Sequence, residues 1–64
     1  MKKPKYVLFT PDEKYVAEYL LRQLILCESI TEALTFDNQE LAIRFKKMLV
    51  QNCNLECSVN TYIE

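Results

Sequence analysis

Apolar and polar side chains follow one another in a pattern that predicts a strand near each end of the chain. The first apolar run, KYVLFT at residues 5–10, is rich in aromatic and β-branched residues and directly follows Pro4, as is typical of a strand. The last run, residues 55–63, alternates between apolar and polar side chains, which predicts a half-buried strand. The positions that share one face of this strand are Leu55, Cys57, Val59, Thr61 and Ile63.

A helix is predicted over residues 38–52, NQELAIRFKKMLVQN, where the apolar period changes to that of a helix. Asp37 and Glu40 form a capping-box pair at its start, and Asn52 or Asn54 can end it. Just before this helix, residues 30–36 predict a short strand that follows a helical turn. The apolar positions that would face the core from the helix are Leu41, Ala42, Phe45, Met48 and Leu49.

Residues 11–27 favour a second helix. Thr10 suits an N-cap, Pro11 suits the first helical position, and Glu13 completes a capping box. Neither Gly nor Pro interrupts residues 12–28. The apolar positions that fall within one arc of such a helix are Val16, Ala17, Leu20, Leu21, Leu24 and Cys27.

The same segment also allows a β-meander. TPDEK is a good type I turn with Pro at its second position, and two apolar runs then follow, KYVAEYL and RQLILCE. No Gly, Asn or Asp separates these two runs, which argues against a tight hairpin. The sequence therefore predicts a single α+β domain over residues 1–64, β-α-β-α-β, with a three-stranded sheet and two helices. The alternative is a β-meander followed by one helix and a final strand.

One stretch, ITEALTFDNQELAIRFKKML at residues 30–49, resembles small uncharacterised proteins of Gram-positive bacteria and their phages. The resemblance implies a β-rich region before residue 30, which agrees with the meander alternative, and a phage or other mobile-element origin. It implies no activity. The matching positions are Ile30, Ala33, Phe36, Asp37, Ala42 and Phe45.

Composition argues against most enzyme classes. The chain has 64 residues, no His and no Gly, so it lacks the residue best suited to proton transfer near neutral pH and every glycine-rich phosphate loop. A net charge of −1 offers nothing that would select nucleic acid. No apolar run is long enough for a signal peptide or a membrane span, which predicts a cytoplasmic, non-enzymatic protein without a cofactor or a small-molecule substrate.

Three cysteines raise the alternative of a thiol-redox or metal-binding protein. Cys53 and Cys57 stand in a C-x₃-C arrangement, and Cys27 lies far upstream. Zinc sites usually use about four Cys or His ligands, often with C-x₂-C spacing, and this chain lacks both that spacing and His. Core packing is the preferred interpretation for these thiols, because free Cys commonly behaves as a small buried apolar residue.

The helix at residues 38–52 carries a second apolar ridge opposite its core stripe. Ile43 and Val50 lie seven residues apart on that face, and Lys46 and Lys47 flank them. Single exposed apolar residues are normal in proteins. A ridge of two, in a chain whose apolar fraction reaches 50%, indicates a surface that binds a partner.

Two tyrosines add to this predicted interface. Tyr15 and Tyr19 fall outside the core arc of a helix at residues 11–27, and Tyr is enriched at protein interfaces because its large ring ends in a polar group. The sequence thus predicts a protein-binding or regulatory accessory module that covers a surface of its partner. The partner would be another protein or a second copy of the chain in a homodimer.

Overall fold

The computed structural model describes residues 3–63, which form one α-helix packed on a four-stranded antiparallel sheet. No helix within these residues is long and apolar enough to cross a membrane. A 3₁₀ turn, Ile30–Glu32, follows the first three strands. The main elements, in chain order, are β1 (Pro4–Phe9), β2 (Tyr15–Leu20), β3 (Gln23–Cys27), α1 (Gln39–Cys53) and β4 (Ser58–Ile63).

The strand order across the sheet is β3-β2-β1-β4, so β3 and β4 are the two edges. The predicted α+β class is confirmed. The predicted β-α-β-α-β order with three strands and two helices is wrong, and the alternative of a meander, one helix and a final strand describes the structure better. The chain enters the sheet at its centre, adds β2 and β3 on one side, and returns through α1 to add β4 on the other.

Residues 11–27 form a loop and two strands, and the predicted helical stripe is divided between the sides of a hairpin. Val16 is fully buried and Leu24 packs against the core, whereas Leu20 and Leu21 are exposed. Strand pairing satisfies backbone hydrogen-bonding groups of β1, β2 and β3, and four residues of this segment are β-branched or aromatic, which suits a pleated sheet.

The residues that resemble a helix start instead close the loop between β1 and β2. The N–H of Glu13 donates to the Thr10 carbonyl at 3.0 Å, and the N–H of Thr10 donates to the Lys14 carbonyl at 2.7 Å. The Thr10 hydroxyl, expected to cap a helix, accepts from the N–H of Lys14 at 3.1 Å. Glu13 has a φ of 63°, the left-handed conformation in which a three-residue hairpin loop normally places Gly.

Replacing Glu13 by glycine is expected to raise the free energy of unfolding by about 0.5–1 kcal/mol, because glycine removes the cost of a side chain in the left-handed region. Glu13→Ala is the matched control, since it removes the same charge but keeps the Cβ atom. Urea unfolding followed by circular dichroism measures both. A gain in Glu13→Ala equal to that in Glu13→Gly would attribute the effect to charge and contradict the prediction.

Residues 34–36 fill the gap where β1 and β2 diverge. Tyr6 and Phe36 exchange two backbone hydrogen bonds of 3.0 and 2.8 Å, and the N–H of Leu34 donates to the Val16 carbonyl at 2.9 Å. The predicted strand at residues 30–36 is therefore reduced to an isolated bridge, although the helical turn before it is present as 3₁₀.

The helix boundaries follow from its caps. Asn38, and not Asp37 as predicted, is the N-cap, and its side chain accepts a hydrogen bond of 2.9 Å from the N–H of Leu41. Asp37 instead forms an ion pair with Lys5 at 2.6 Å, which lowers the pKa of Asp37. Asn54 ends the helix in the left-handed conformation, as predicted, and its N–H reaches back to carbonyls of the last turns.

One face of α1 packs against the sheet to form the core. The predicted core positions Ala42 and Leu49 are fully buried, and Phe45 and Met48 pack beside them. The prediction that Leu41 faces the core is wrong, since its side chain is 45% exposed. The buried members of the core cluster are Leu8, Val16, Ala42, Leu49 and Cys57.

Candidate functional site

The three cysteines do not form a common site. Cys57 is buried in the core, and Cys53, the last helical residue, packs against the same core. Cys27 ends β3 next to Leu26, which faces the helix, so the Cys27 side chain lies on the other face of the sheet and not in the helical core arc that was predicted. Its thiol donates to the Ser29 carbonyl at 3.3 Å. Among residues 3–63 no group of three or more Cys, Asp or Glu could hold a metal ion.

The electrostatic surroundings of Cys57 favour the protonated thiol. Burial raises the pKa of Cys57, the nearby Cys53 adds to that rise, and the positive charge of Lys46 opposes it only in part. Reactive thiols have a lowered pKa, because the thiolate is the nucleophile and the metal ligand. The chemistry of Cys57 is thus that of a packed apolar residue, which agrees with the predicted inward-facing position in the sequence CNLEC.

An open groove of about 370 Å³ lies beside Cys57, where the loop between β1 and β2 meets the start of β4. Its only ionisable groups are a carboxylate, Glu56, and the protonated thiol of Cys57. The positive charge of Lys46 acts on the Cys57 thiol but does not offset the effect of burial on its pKa, so this thiol is not activated as a nucleophile. The residues that line the groove are Phe9, Thr10, Pro11, Glu56, Cys57 and Ser58.

The predicted ridge on the outside of α1 is only weakly apolar in the structure. Ile43 is half-buried and Val50 is 37% exposed. Lys47 is exposed, whereas Lys46 is half-buried, and its positive charge acts to lower the pKa of Cys57. The ridge therefore offers little apolar surface for a partner to cover.

The two predicted interface tyrosines lie on opposite faces of the sheet. The ring of Tyr19 meets the ring of Phe45 edge-on at 6.3 Å, on the helix side. Burial and the electrostatic influence of the nearby Cys53 thiol raise the pKa of Tyr19. The ring of Tyr15 lies 5.0 Å from the ring of Phe9 on the side away from the helix. Both tyrosines are half-buried by these contacts, and the structure does not bring them together with the helix ridge into one surface.

The most exposed apolar cluster is on the β2–β3 hairpin. Leu20, Leu21 and Ile25 are 61%, 87% and 48% exposed, and we refer to these three residues as the hairpin patch. Leu20 pairs with Gln23 and Ile25 pairs with Glu18, so the register places Leu20 and Ile25 on the same face of the hairpin. That face is the one turned away from the helix.

Strand β3 also carries a free sheet edge beside the hairpin patch. It pairs with β2 on one side, and within residues 3–63 no other strand lies on its outer side. Natural edge strands commonly carry a charge or a proline that blocks pairing with another chain. β3 has the sequence QLILC and contains neither.

Sequence reasoning missed this surface because a helix at residues 11–27 would have buried Leu20 and Leu21. The available signal was the alternative strand pattern, in which Leu20 leads into a turn and Ile25 alternates with Leu24 and Leu26. No protein-family model, curated protein or solved structure matches this chain.

Proposed function

We propose that this protein is a non-enzymatic protein-binding module that contacts its partner through the hairpin patch and the outer edge of β3. A single observation carries the proposal. Three of the six large apolar side chains that are exposed within residues 3–63 fall between residues 20 and 25. They lie beside a strand edge that has free backbone hydrogen-bonding groups on its outer side.

Binding by strand addition uses both features. A partner strand laid along β3 would accept and donate main-chain hydrogen bonds, which supply affinity, while side chains on the two faces of the strand supply specificity. Ile25 would be covered on one face, and Leu24 and Leu26 would gain neighbours on the other. Fully burying one Leu or Ile side chain contributes about 1.5–3 kcal/mol, so covering these partly exposed residues adds to the affinity that the main-chain hydrogen bonds supply.

The clustering of exposed apolar side chains on the hairpin also favours a binding role. A chain of 64 residues has a small core, and leucines that remain in solvent add nothing to it. Contiguous exposed apolar side chains mark interaction sites more often than isolated ones do. The partner implied by this chemistry is an extended protein segment with apolar side chains.

Site-specific photocrosslinking in cells that produce the protein tests the proposal. A photoreactive amino acid at Leu21 is expected to give an adduct of discrete mass, because Leu21 projects from the hairpin patch. The matched control places the same amino acid at Val50 on the helix ridge and is expected to give none. Adducts at Val50 and not at Leu21 would move the binding surface to the ridge, and no adduct at either position would overturn the proposal.

A further inference from the structure

We infer that the partner on the β3 edge is a second copy of this chain, joined antiparallel about a two-fold axis that passes next to Ile25. The inference rests on the proposed function, because it names the partner of the same surface. It predicts a continuous eight-stranded sheet in which the two β3 strands are central neighbours and both helices lie on one face.

The hairpin geometry directs the backbone groups of Leu24 outward. Leu20 and Gln23 are the paired residues that close a two-residue loop, so they exchange hydrogen bonds with each other. In an antiparallel ladder such pairs alternate with pairs that do not exchange bonds. Leu24 follows Gln23, so its N–H and carbonyl point away from β2.

The backbone groups of Leu26 also point away from β2, and a separate hydrogen bond shows this. Leu26 pairs with Val16, but the Val16 carbonyl accepts a hydrogen bond from the N–H of Leu34 and therefore points away from β3. Leu26 thus also presents its N–H and carbonyl at the free edge. When two β3 strands meet about Ile25, Leu24 of each copy is opposite Leu26 of the other. These two positions can then exchange four backbone hydrogen bonds.

Side chains match in this register. Ile25 meets Ile25 of the second copy on the face turned away from the helices, where it is exposed in the single chain. Leu24 meets Leu26 of the second copy on the helix side. Each apolar side chain therefore gains an apolar neighbour, and such cross-strand pairs stabilise a sheet.

Charges at the two ends of β3 select the same register. Arg22 is three residues before Ile25 and Glu28 is three residues after it, and both are exposed. Arg22 is in the turn directly before β3 and Glu28 directly follows it, so two-fold pairing about Ile25 brings Arg22 of each copy near Glu28 of the other, which gives two pairs of opposite charge. Centring the axis on Leu24 or Leu26 instead would set a charged side chain opposite a leucine. Only the register centred on Ile25 thus satisfies the apolar and the charged positions together.

The other sheet edge is a poorer match. β4 exposes Ser58, Asn60 and Thr61 and therefore has no apolar run that would be covered by self-pairing. Its one strongly exposed apolar residue, Ile63, lies at the end of the strand. This difference makes an Ile63 variant the natural control for an Ile25 variant.

Light scattering on a size-exclusion column, under reducing conditions and over a range of concentrations, measures the assembly. The wild type is expected to reach twice the 7.6 kDa of one chain. Ile25→Lys is expected to be monomeric, because two lysines would meet at the axis, while Ile63→Lys is expected to remain dimeric. Ile25 and Ile63 are both exposed, so folding should survive in each variant. A wild-type monomer at every concentration overturns the inference. A dimer abolished by Ile63→Lys and not by Ile25→Lys overturns it too.

A charge-reversal cycle tests the register. Arg22→Glu and Glu28→Arg alone are each expected to raise the dimer dissociation constant about tenfold, because each sets like charges opposite one another twice. The double variant restores opposite charges and is expected to recover the wild-type constant. Failure of the double variant to recover would overturn this register.

The result at Leu21 separates this inference from the proposed function. A discrete crosslink of Leu21 to a different protein, together with a wild-type monomer, would overturn self-pairing and leave the protein-binding function standing. A monomer without any crosslink at Leu21 would overturn both.

Discussion

Leu49→Ala is expected to lower the free energy of unfolding by about 2–5 kcal/mol, which is the range for truncating a buried leucine. Leu49 is fully buried in the cluster that joins α1 to the sheet. The core of so small a chain is expected to supply only about 3–5 kcal/mol in all. The variant should therefore be largely unfolded at 25 °C, as measured by far-ultraviolet circular dichroism and by urea titration.

Leu41→Ala is the matched control for Leu49→Ala. The two positions share a residue type and a helix, but Leu41 is at the solvent-exposed side of the first turn. Its truncation is expected to change the free energy of unfolding by about 0.5 kcal/mol or less, because surface substitutions have small effects and alanine favours the helix. Similar losses in both variants would mean that Leu41 is part of the core, as the sequence pattern had indicated.

The second half of the fold was predictable because its signals are local. In α1 the apolar positions recur at the spacing of a helix, and an asparagine in the left-handed conformation ends it. The alternation around Cys57 correctly placed Leu55, Cys57 and Val59 against the core, but Thr61 and Ile63, predicted on the same face, are exposed because they lie at the far end of β4. Each of these signals depends on residues close in sequence, so no distant contact was needed to interpret them.

The first half was not predictable in the same way because its turn signals are ambiguous. Thr10, Pro11 and Glu13 satisfy the rules for a helix start and also those for a hairpin loop, and the structure uses the second. The tight turn at Leu21 and Arg22 has no Gly or Asn, and no local pattern marks it. In the structure the segment forms the meander, in which β2 pairs with β3 along the hairpin and meets β1 at Phe9 and Tyr15.

The incorrect prediction of a helix at residues 11–27 also led to the wrong choice of exposed residues for the candidate interface. A helix places Leu20 and Leu21 inside and leaves Tyr15 and Tyr19 outside, whereas the hairpin does nearly the reverse. The tyrosines pack on neighbouring rings, and the leucines become the exposed surface. An interface can be predicted from exposed apolar residues only when the topology is known, because the topology determines which residues are exposed.

Replacing Leu21 by asparagine and Arg22 by glycine is expected to stabilise the protein by about 1–2 kcal/mol. The φ angles of these two residues are 52° and 62°, so both occupy the left-handed region and form a type I′ loop. A residue with a Cβ atom costs roughly 1–2 kcal/mol in that conformation, and Asn and Gly are the residues that adopt it most readily. Part of the gain is offset by the greater freedom of glycine in the unfolded chain.

The control for this loop variant is Leu21→Ala with Arg22→Ala. It removes the same exposed apolar side chain and the same positive charge, including any role of Arg22 between two copies, but it keeps a Cβ atom at both left-handed positions. Urea unfolding at equal protein concentration should therefore show a gain for the Asn–Gly loop and none for the Ala–Ala loop. Equal gains would assign the effect to the exposed leucine or the charge, and the two residues would then not store backbone strain.

A gain confined to Asn–Gly would mean that the chain keeps a strained hairpin tip whose side chains serve a purpose other than stability. That purpose is the one expected of a binding surface, because Leu21 is the most exposed large apolar residue of the described chain.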